Sequence, residues 1–326
     1  MAVARTPRTP RMPRPTGPFP ARAEDIAALN QVFSDAFTER YRRDGMAGVR
    51  VPFLNPMIWR YAIEDAAGGA LLWRDERDEV AAFNVAHASG KEGWMGPLAV
   101  RPDLQDAGLG KAVVTAASDW LARAGCATIG LETMPRTMDN IGFYSALGYE
   151  PGKLTITVTL DAAPAARAPA LLGRLSPRAQ DDAIAECRAL TEALIPGWDF
   201  SRELRLTQDL ALGETILLRE GGELSGFALC HSIPLVEGRP LEELRVLKLV
   251  LGSEAALPAM TVALCEVARR RHARRVAMRV QTEYLTAYRG LLDAGGRVRW
   301  TDLRMTRADR PEPRAARGLV WSNWEI

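Results

Sequence analysis

The residues of this chain that could do chemistry are grouped around a short loop that contains two glycines. Pro102 lacks an amide hydrogen and so ends the strand before the loop. Gly108 and Gly110 can expose backbone N–H groups without obstruction, and a helix is predicted to begin near Gly108. Amides at a helix N-terminus attract a diphosphate, helped by the helix dipole. Residues 98–114 therefore predict a site for a ligand that carries a pyrophosphate.

Two better-known phosphate loops do not fit this spacing. A Walker loop needs G-x-x-x-x-G-K-[ST], which this segment lacks. A kinase-like glycine loop connects two strands, whereas this loop leads into an amphipathic helix with Val113, Ala117 and Leu121 on one face. The order of strand, proline, loop and helix makes the loop more informative than its glycines alone.

Hydrophobic periodicity predicts the elements that position this loop. Two segments with a similar order of elements follow one another, and three residues of the first hairpin, Glu79, Phe83 and His87, recur 144 positions later. The first half is predicted to contain helices at 24–37, 56–66, 108–124 and 140–147, a hairpin at 71–87, and strands at 94–101, 128–133 and 154–160. The second half is predicted to contain helices at 178–195, 255–271 and 284–293, a hairpin at 216–231, and strands at 244–251, 275–281 and 297–307.

This order predicts the fold class and the domains. Strands joined by crossover helices indicate an α/β chain of two tandem domains, each a central mixed sheet flanked by helices. Residues 1–18 are rich in proline and arginine and are expected to be a disordered extension. The Ala- and Pro-rich segment 161–172 is expected to be a linker. The domains are then 19–160 and 173–326.

Composition narrows the class of protein. The chain has 326 residues, 47% of them hydrophobic, and a net charge of +2, which gives no reason to expect nucleic acid or an anionic membrane as partner. It lacks an apolar run of about 20 residues and the apolar core of a signal peptide. The four cysteines lie far apart, so no metal site is expected. These features favour a cytoplasmic protein, either a monomer or a homodimer.

The loop and a downstream segment together resemble the GNAT family of N-acetyltransferases. Residues 98–102 are similar to the strand that precedes the loop in that family, and residues 105–110 match its Q/R-x-x-G-x-G/A motif. Downstream, Asn140, Tyr144, Gly148 and Tyr149 are similar to a second family motif in the expected order. The order of elements over residues 19–160 also fits the family fold.

The resemblance implies acetyl-CoA as co-substrate and gives roles to individual residues. Backbone groups of Leu98 and Val100 are expected to pair with the pantetheine arm, and Tyr144 to protonate the departing thiolate. Glu132 lies on the strand that should adjoin acetyl-CoA, so it is the candidate general base. The expected acetyl-CoA-binding residues are Leu98, Ala99, Val100, Gln105, Asp106, Ala107, Gly108, Leu109, Gly110, Lys111 and Asn140.

The second half lacks the loop. Gly252, Ser253 and Glu254 follow its corresponding strand, and the carboxylate of Glu254 would repel a pyrophosphate. The second half is therefore expected to be a degenerate repeat without acetyl-CoA binding. His87 and His231, shared by both halves, are expected to be structural. The tail at 320–326 is expected to close a pocket or to dock on apolar surface.

The predicted function is transfer of an acetyl group from acetyl-CoA to a primary amine of a small molecule. Two alternatives remain open. One is acetylation of a protein or peptide amine, and the other is a non-catalytic acyl-CoA sensor. Tyr144 favours catalysis, because a sensor does not need an acid for a thiolate.

Overall fold

A computed structural model describes residues 14–105 and 107–324. Asp106 and most of the predicted extension lie outside the described residues. The extension is shorter than predicted, because strand β1 (Thr16–Pro20) pairs antiparallel with β2 (Ala70–Arg74). Phe19 of β1 lies opposite Leu72 of β2, so backbone pairing orders residues 16–18 despite their proline and glycine.

The rest of the first half contains the predicted elements with small shifts at their ends. The helices are α1 (Ile26–Arg43), α2 (Pro56–Ala66), α3 (Leu109–Arg123) and α4 (Met138–Ser145). The strands are β3 (Val80–Ser89), β4 (Glu92–Val100), β5 (Thr128–Thr133) and β6 (Tyr149–Asp161).

The second half repeats this order and adds three elements that periodicity did not predict. They are the strands β7 (Ala170–Leu171) and β13 (Leu319–Ser322) and the helix α6 (Ser201–Asp209). The helices are α5 (Pro177–Leu194), α6 (Ser201–Asp209), α7 (Leu257–Arg270) and α8 (Leu285–Asp293). The strands are β7 (Ala170–Leu171), β8 (Gly213–Glu220), β9 (Glu223–His231), β10 (Glu243–Leu251), β11 (Arg275–Gln281), β12 (Arg297–Arg307) and β13 (Leu319–Ser322).

The two halves share one sheet. Its order in the described part of the chain is β1-β2-β3-β4-β5-β12-β6-β11-β10-β9-β8-β7, with β13 paired to β10. The last long strand of each half is therefore exchanged: β12 lies between β5 and β6, and β6 lies between β12 and β11. The predicted α/β class with two tandem halves is confirmed, and the exchange joins what were predicted as two sheets.

Each half contains one pair of parallel strands that diverge. β4 pairs with β5 over Glu92–Met95, and β10 pairs with β11 over Glu243–Val246. Beyond these positions the strands separate and leave an opening in the sheet. In the second half, β13 lies in the opening and pairs antiparallel with Lys248–Leu251. In the first half, residues 98–100 of β4 pair only with β3 among the described residues, so their second edge is open.

Helices cover both faces of the sheet and bury its apolar side chains. Val113, Ala117 and Leu121 of α3 are fully buried against β3 and β4, which fixes the start of α3 beside the open edge of β4. Leu264 of α7 occupies the corresponding core of the second half. No helix among the described residues is long and apolar enough to cross a membrane.

Candidate active site

A cavity of about 960 Å³ opens on the first half at the open edge of β4. It extends to the region where β5, β12 and β11 carry side chains of both halves. Most of the residues predicted from the sequence line it: Leu98, Ala99, Val100, Gln105, Gly108, Gly110, Lys111, Glu132, Asn140 and Tyr144.

Two residues predicted to bind acetyl-CoA do not line the cavity. Leu109 is buried in the core beside Val113, and the side chain of Ala107 is exposed to solvent. These residues can contribute only backbone groups, and Asp106 lies outside the described residues. The loop therefore presents main chain rather than side chains, which suits recognition of a diphosphate.

Gly108 gives the loop its geometry. It is the N-cap of α3 with φ of 83°, a left-handed conformation that residues with a Cβ rarely adopt. Its position carries no side-chain cap, so the amides of the first helical turn remain available to an anion. The side-chain amide of Gln105 donates to the carbonyl oxygen of Val100 at 3.0 Å, which ties the loop to the end of β4.

Tyr144 and Asn140 reach the cavity from α4. The Tyr144 ring is 9% exposed and packs against the rings of Phe143 and Tyr149. Burial raises the pKa of Tyr144 to about 12, and Tyr149 adds to the shift. Tyr144 is therefore protonated at neutral pH. Asn140 Nδ2 lies 3.4 Å from Thr133 Oγ1, so α4 is also linked to β5.

Glu132 lies in the cavity wall, but two arginines of the second half hold it. Its carboxylate accepts hydrogen bonds from Arg304 at 2.8 Å, from Arg279 and from the Thr155 hydroxyl. Burial alone would raise the pKa of Glu132, but the charges of Arg279 and Arg304 outweigh it and the net pKa is lowered. A carboxylate held in this way is a weak proton acceptor.

Asp302 faces Glu132 across Arg279. Its carboxylate accepts from Arg279 at 2.8 Å and from the Trp300 indole N–H at 3.0 Å. Burial raises the pKa of Asp302, and the negative charge of Glu132 raises it further against the opposing effect of Arg279. Asp302 is therefore the better proton acceptor of the two carboxylates.

Apart from the tail with Trp324, which was expected to close a pocket or to dock on apolar surface, sequence reasoning did not identify the residues that the second half adds to the cavity. Arg245, Arg279, Asp302 and Trp324 line it and lie more than 100 positions after Tyr144. One signal was present. Strand β12 carries Asp302 and Arg304 in its interior, and charged residues are uncommon in a central strand unless they are paired or functional.

The two equivalent histidines are packed into the structure and do not line the cavity. His87 Nδ1 lies 2.9 Å from the buried Asp65 carboxylate. His231 Nε2 lies 3.1 Å from the Thr207 hydroxyl. Tyr288, the counterpart of Tyr144, also lies outside the cavity lining. Of the equivalent residues Tyr144 and Tyr288, only Tyr144 therefore lines the cavity.

The geometry can be compared with known proteins. Residues 27–149 match the sequence profile of the acetyltransferase (GNAT) family. Comparison with curated protein sequences gave no significant match.

Solved structures of similar fold cover nearly the whole chain. A protein of Pyrococcus horikoshii described as an acetyltransferase is 17% identical, with a TM-score of 0.62 over 89% of this chain and 88% of its own. A GCN5-related N-acetyltransferase of Sphaerobacter thermophilus is 17% identical, with a TM-score of 0.56 over 92% and 98%. A tandem GNAT protein from the clavulanic acid biosynthesis pathway is 13% identical, with a TM-score of 0.58 over 91% and 98%. The chain thus has the fold of tandem GNAT proteins, and residues 27–149 carry the sequence pattern of the acetyltransferase (GNAT) family.

Proposed function

We propose that this protein is an N-acetyltransferase that moves an acetyl group from acetyl-CoA to a primary amine of a small molecule. The observation that carries the proposal is one cavity that joins the open amides at the start of α3 to Tyr144 and then to the paired carboxylates Glu132 and Asp302. Its volume of about 960 Å³ falls at the upper end of the range typical of small-molecule sites.

The first half contains the proposed sites for the pyrophosphate and the pantetheine arm of acetyl-CoA. The amides from Gln105 to Lys111 are the proposed pyrophosphate site. The open edge of Leu98 and Val100 is the proposed pairing edge for the pantetheine arm, which would add to β4 as a strand does. The carbonyl of Val100 already accepts from Gln105, so it has less capacity for a second donor than Leu98.

Tyr144 is the proposed general acid. An ordinary thiol has a pKa of about 8.5, and burial places the pKa of Tyr144 well above that value. Tyr144 therefore holds its proton until a thiolate develops beside it and can then give that proton to the sulfur. The neutral amine attacks the acetyl carbonyl and a C–N bond forms. As the C–S bond breaks, the sulfur takes the Tyr144 proton, and the proton lost from the amine nitrogen returns to the Tyr144 phenolate, so that the amide and the free thiol are released.

Asp302 replaces Glu132 as the proposed general base. An alkyl ammonium keeps its proton to a pH of about 10, so a carboxylate or an ordered water must remove it before attack. Asp302 has a raised pKa and lines the cavity. Glu132 is instead proposed to position Arg279, and with it Asp302, through its ion pairs.

The second half is proposed to bind no acetyl-CoA. Strand β13 occupies the opening that corresponds to the open edge of β4. With β9 on one edge of Lys248–Leu251 and β13 on the other, no edge remains for a pantetheine arm. Isothermal titration is expected to give one acetyl-CoA site per chain, and two equivalent sites would contradict this assignment.

An acceptor screen with thiol detection tests the proposed activity. Primary amines of small molecules are compared with peptides that carry a free N-terminus or lysine, at saturating acetyl-CoA. Release of thiol with small amines supports the proposal, and turnover confined to peptides would favour the peptide-acetylating alternative. If acetyl-CoA binds and neither class yields thiol, the protein is better described as an acyl-CoA sensor.

A further inference from the structure

The C-terminal strand β13 leads directly from the opening of the second half to the cavity. The other edge of Lys248–Leu251 is taken by β9, so β13 must lie on the side of β11. After Ser322 the chain continues along this opening. The amide of Asn323 donates to the carbonyl of Leu247 at 2.8 Å, and its side chain bonds both Gln281 and the carbonyl of Arg279.

These bonds fix the position of Trp324. Its indole stacks on the ring of His87 with centroids 4.6 Å apart and an interplanar angle of 11°. The ammonium of Lys248 lies 3.3 Å from the centroid of the same indole. Trp324 lines the cavity together with Leu247 and Arg279, whereas the buried His87 and Lys248 are not part of its lining.

Buried polar groups hold this arrangement in place. Lys248 Nζ donates to Ser322 Oγ at 2.8 Å, and Ser322 Oγ donates to Glu92 at 2.7 Å. Lys248, Ser322 and Glu92 are each at most 2% exposed. The tail is thus tied to strands of both halves. The position of the Trp324 indole is consequently fixed by its neighbours.

We propose that Trp324 forms the inner wall of the acceptor compartment and limits the length of the amines that the protein acetylates. The inference rests on the proposed acetyltransferase function and adds a specificity-determining residue to it. A compact primary amine fits between the acetyl group and the indole. A longer one meets the indole, which cannot move without breaking its contacts with His87 and Lys248.

The test compares the Trp324→Ala and Trp324→Phe variants with the native chain. Linear primary amines of increasing length are assayed for kcat/KM, and their binding to the CoA-loaded proteins is followed by saturation-transfer NMR. The Ala variant is expected to shift the ratio of kcat/KM for long over short amines at least tenfold toward long ones. The Phe variant, which keeps an aromatic wall, is expected to stay within about threefold of the native ratio.

Acetyl-CoA affinity separates this inference from the proposed function. Isothermal titration is expected to give the same acetyl-CoA Kd for all three proteins, because the indole of Trp324 contacts His87 and Lys248 and not the proposed acetyl-CoA-binding residues. Failure of the native chain to bind acetyl-CoA overturns the proposed function. An unchanged length profile in a folded Ala variant that still acetylates amines overturns the wall alone. Binding of no amine by any of the three proteins, while acetyl-CoA still binds, overturns both the wall and the proposed amine acetylation.

Discussion

At the scale of single residues, Tyr144 is the proposed proton donor, and Tyr288 of the second half provides a matched control. The Tyr144→Phe variant is expected to lower kcat by about 10² to 10⁴, the usual contribution of a general acid, and to leave acetyl-CoA affinity within about twofold. Tyr288→Phe changes the counterpart residue outside the cavity and is expected to leave both quantities unchanged. Equal effects of the two substitutions on kcat would remove Tyr144 from the mechanism.

Glu203 makes the stability of the fold depend on pH. It is fully buried, and burial together with the charge of Asp65 raises its pKa from 4.5 to about 7, against the effects of Lys248 and Arg202. Between these values the folded state binds more protons than the unfolded state, so its contribution to stability is fully present below pH 4.5 and is lost as the pH rises through about 7.

The Glu203→Gln variant isolates this effect. Its glutamine can still accept the hydrogen bond from Ser89 but cannot ionise. Relative to the native chain, the variant is expected to gain stability as the pH rises from 5 to 8. Denaturant unfolding at each pH gives the difference in free energy of unfolding. A difference that does not change with pH would show that Glu203 has the same pKa in the folded and the unfolded states.

At the scale of elements, the loop before α3 can be tested at Gly110. A Cβ at this position would lie 3.5 Å from the Phe143 ring, an ordinary contact, so Gly110→Ala is expected to bind acetyl-CoA within a few fold of the native chain. Gly110→Glu places a carboxylate beside the amides that are proposed to hold the pyrophosphate. Titration is expected to show at least a hundredfold weaker binding for Gly110→Glu. Normal binding by this variant would contradict the proposed site.

Hydrophobic periodicity predicted most elements of this fold, because helices and strands are formed by residues that are close in the sequence. The helix at Pro56–Ala66 and the strands at Thr128–Thr133 and Arg275–Gln281 match their predicted bounds. The amphipathic α3 and its glycine loop were equally local features. Helix α6 was missed because its sequence is mostly polar, and β1 because proline and glycine weigh against a strand.

What the sequence left undetermined depends on contacts between distant residues. The pairing of β12 with β5 joins residues about 170 positions apart. The sequence of neither strand specifies which strand it pairs with. That pairing brings Arg304 to Glu132, and the pairing of β6 with both β12 and β11 brings Arg279 to Asp302. The proposal of Asp302 instead of Glu132 as the base therefore depends on these distant arginines. Tyr144 and the loop could be predicted from local sequence.

At the scale of the whole molecule, strand exchange makes the two halves mutually dependent. Removal of the second half would leave β5 and β6 without β12 between them. Exposed strand edges and an opened core destabilise a sheet. The site also depends on the exchange, because Arg279 and Asp302 belong to the second half while Tyr144 and the loop belong to the first. The second half is thus part of both the fold and the cavity.

The shared sheet predicts that the chain unfolds as one cooperative unit. Leu121→Ala and Leu264→Ala provide a matched pair, since both leucines are fully buried, one in α3 of the first half and one in α7 of the second. Each substitution is expected to cost about 2 to 5 kcal/mol and to lower one common denaturant midpoint, measured by circular dichroism and by tryptophan fluorescence. Two separate transitions, with each substitution shifting only its own, would mean that the halves fold independently and that the exchanged strands contribute little to stability.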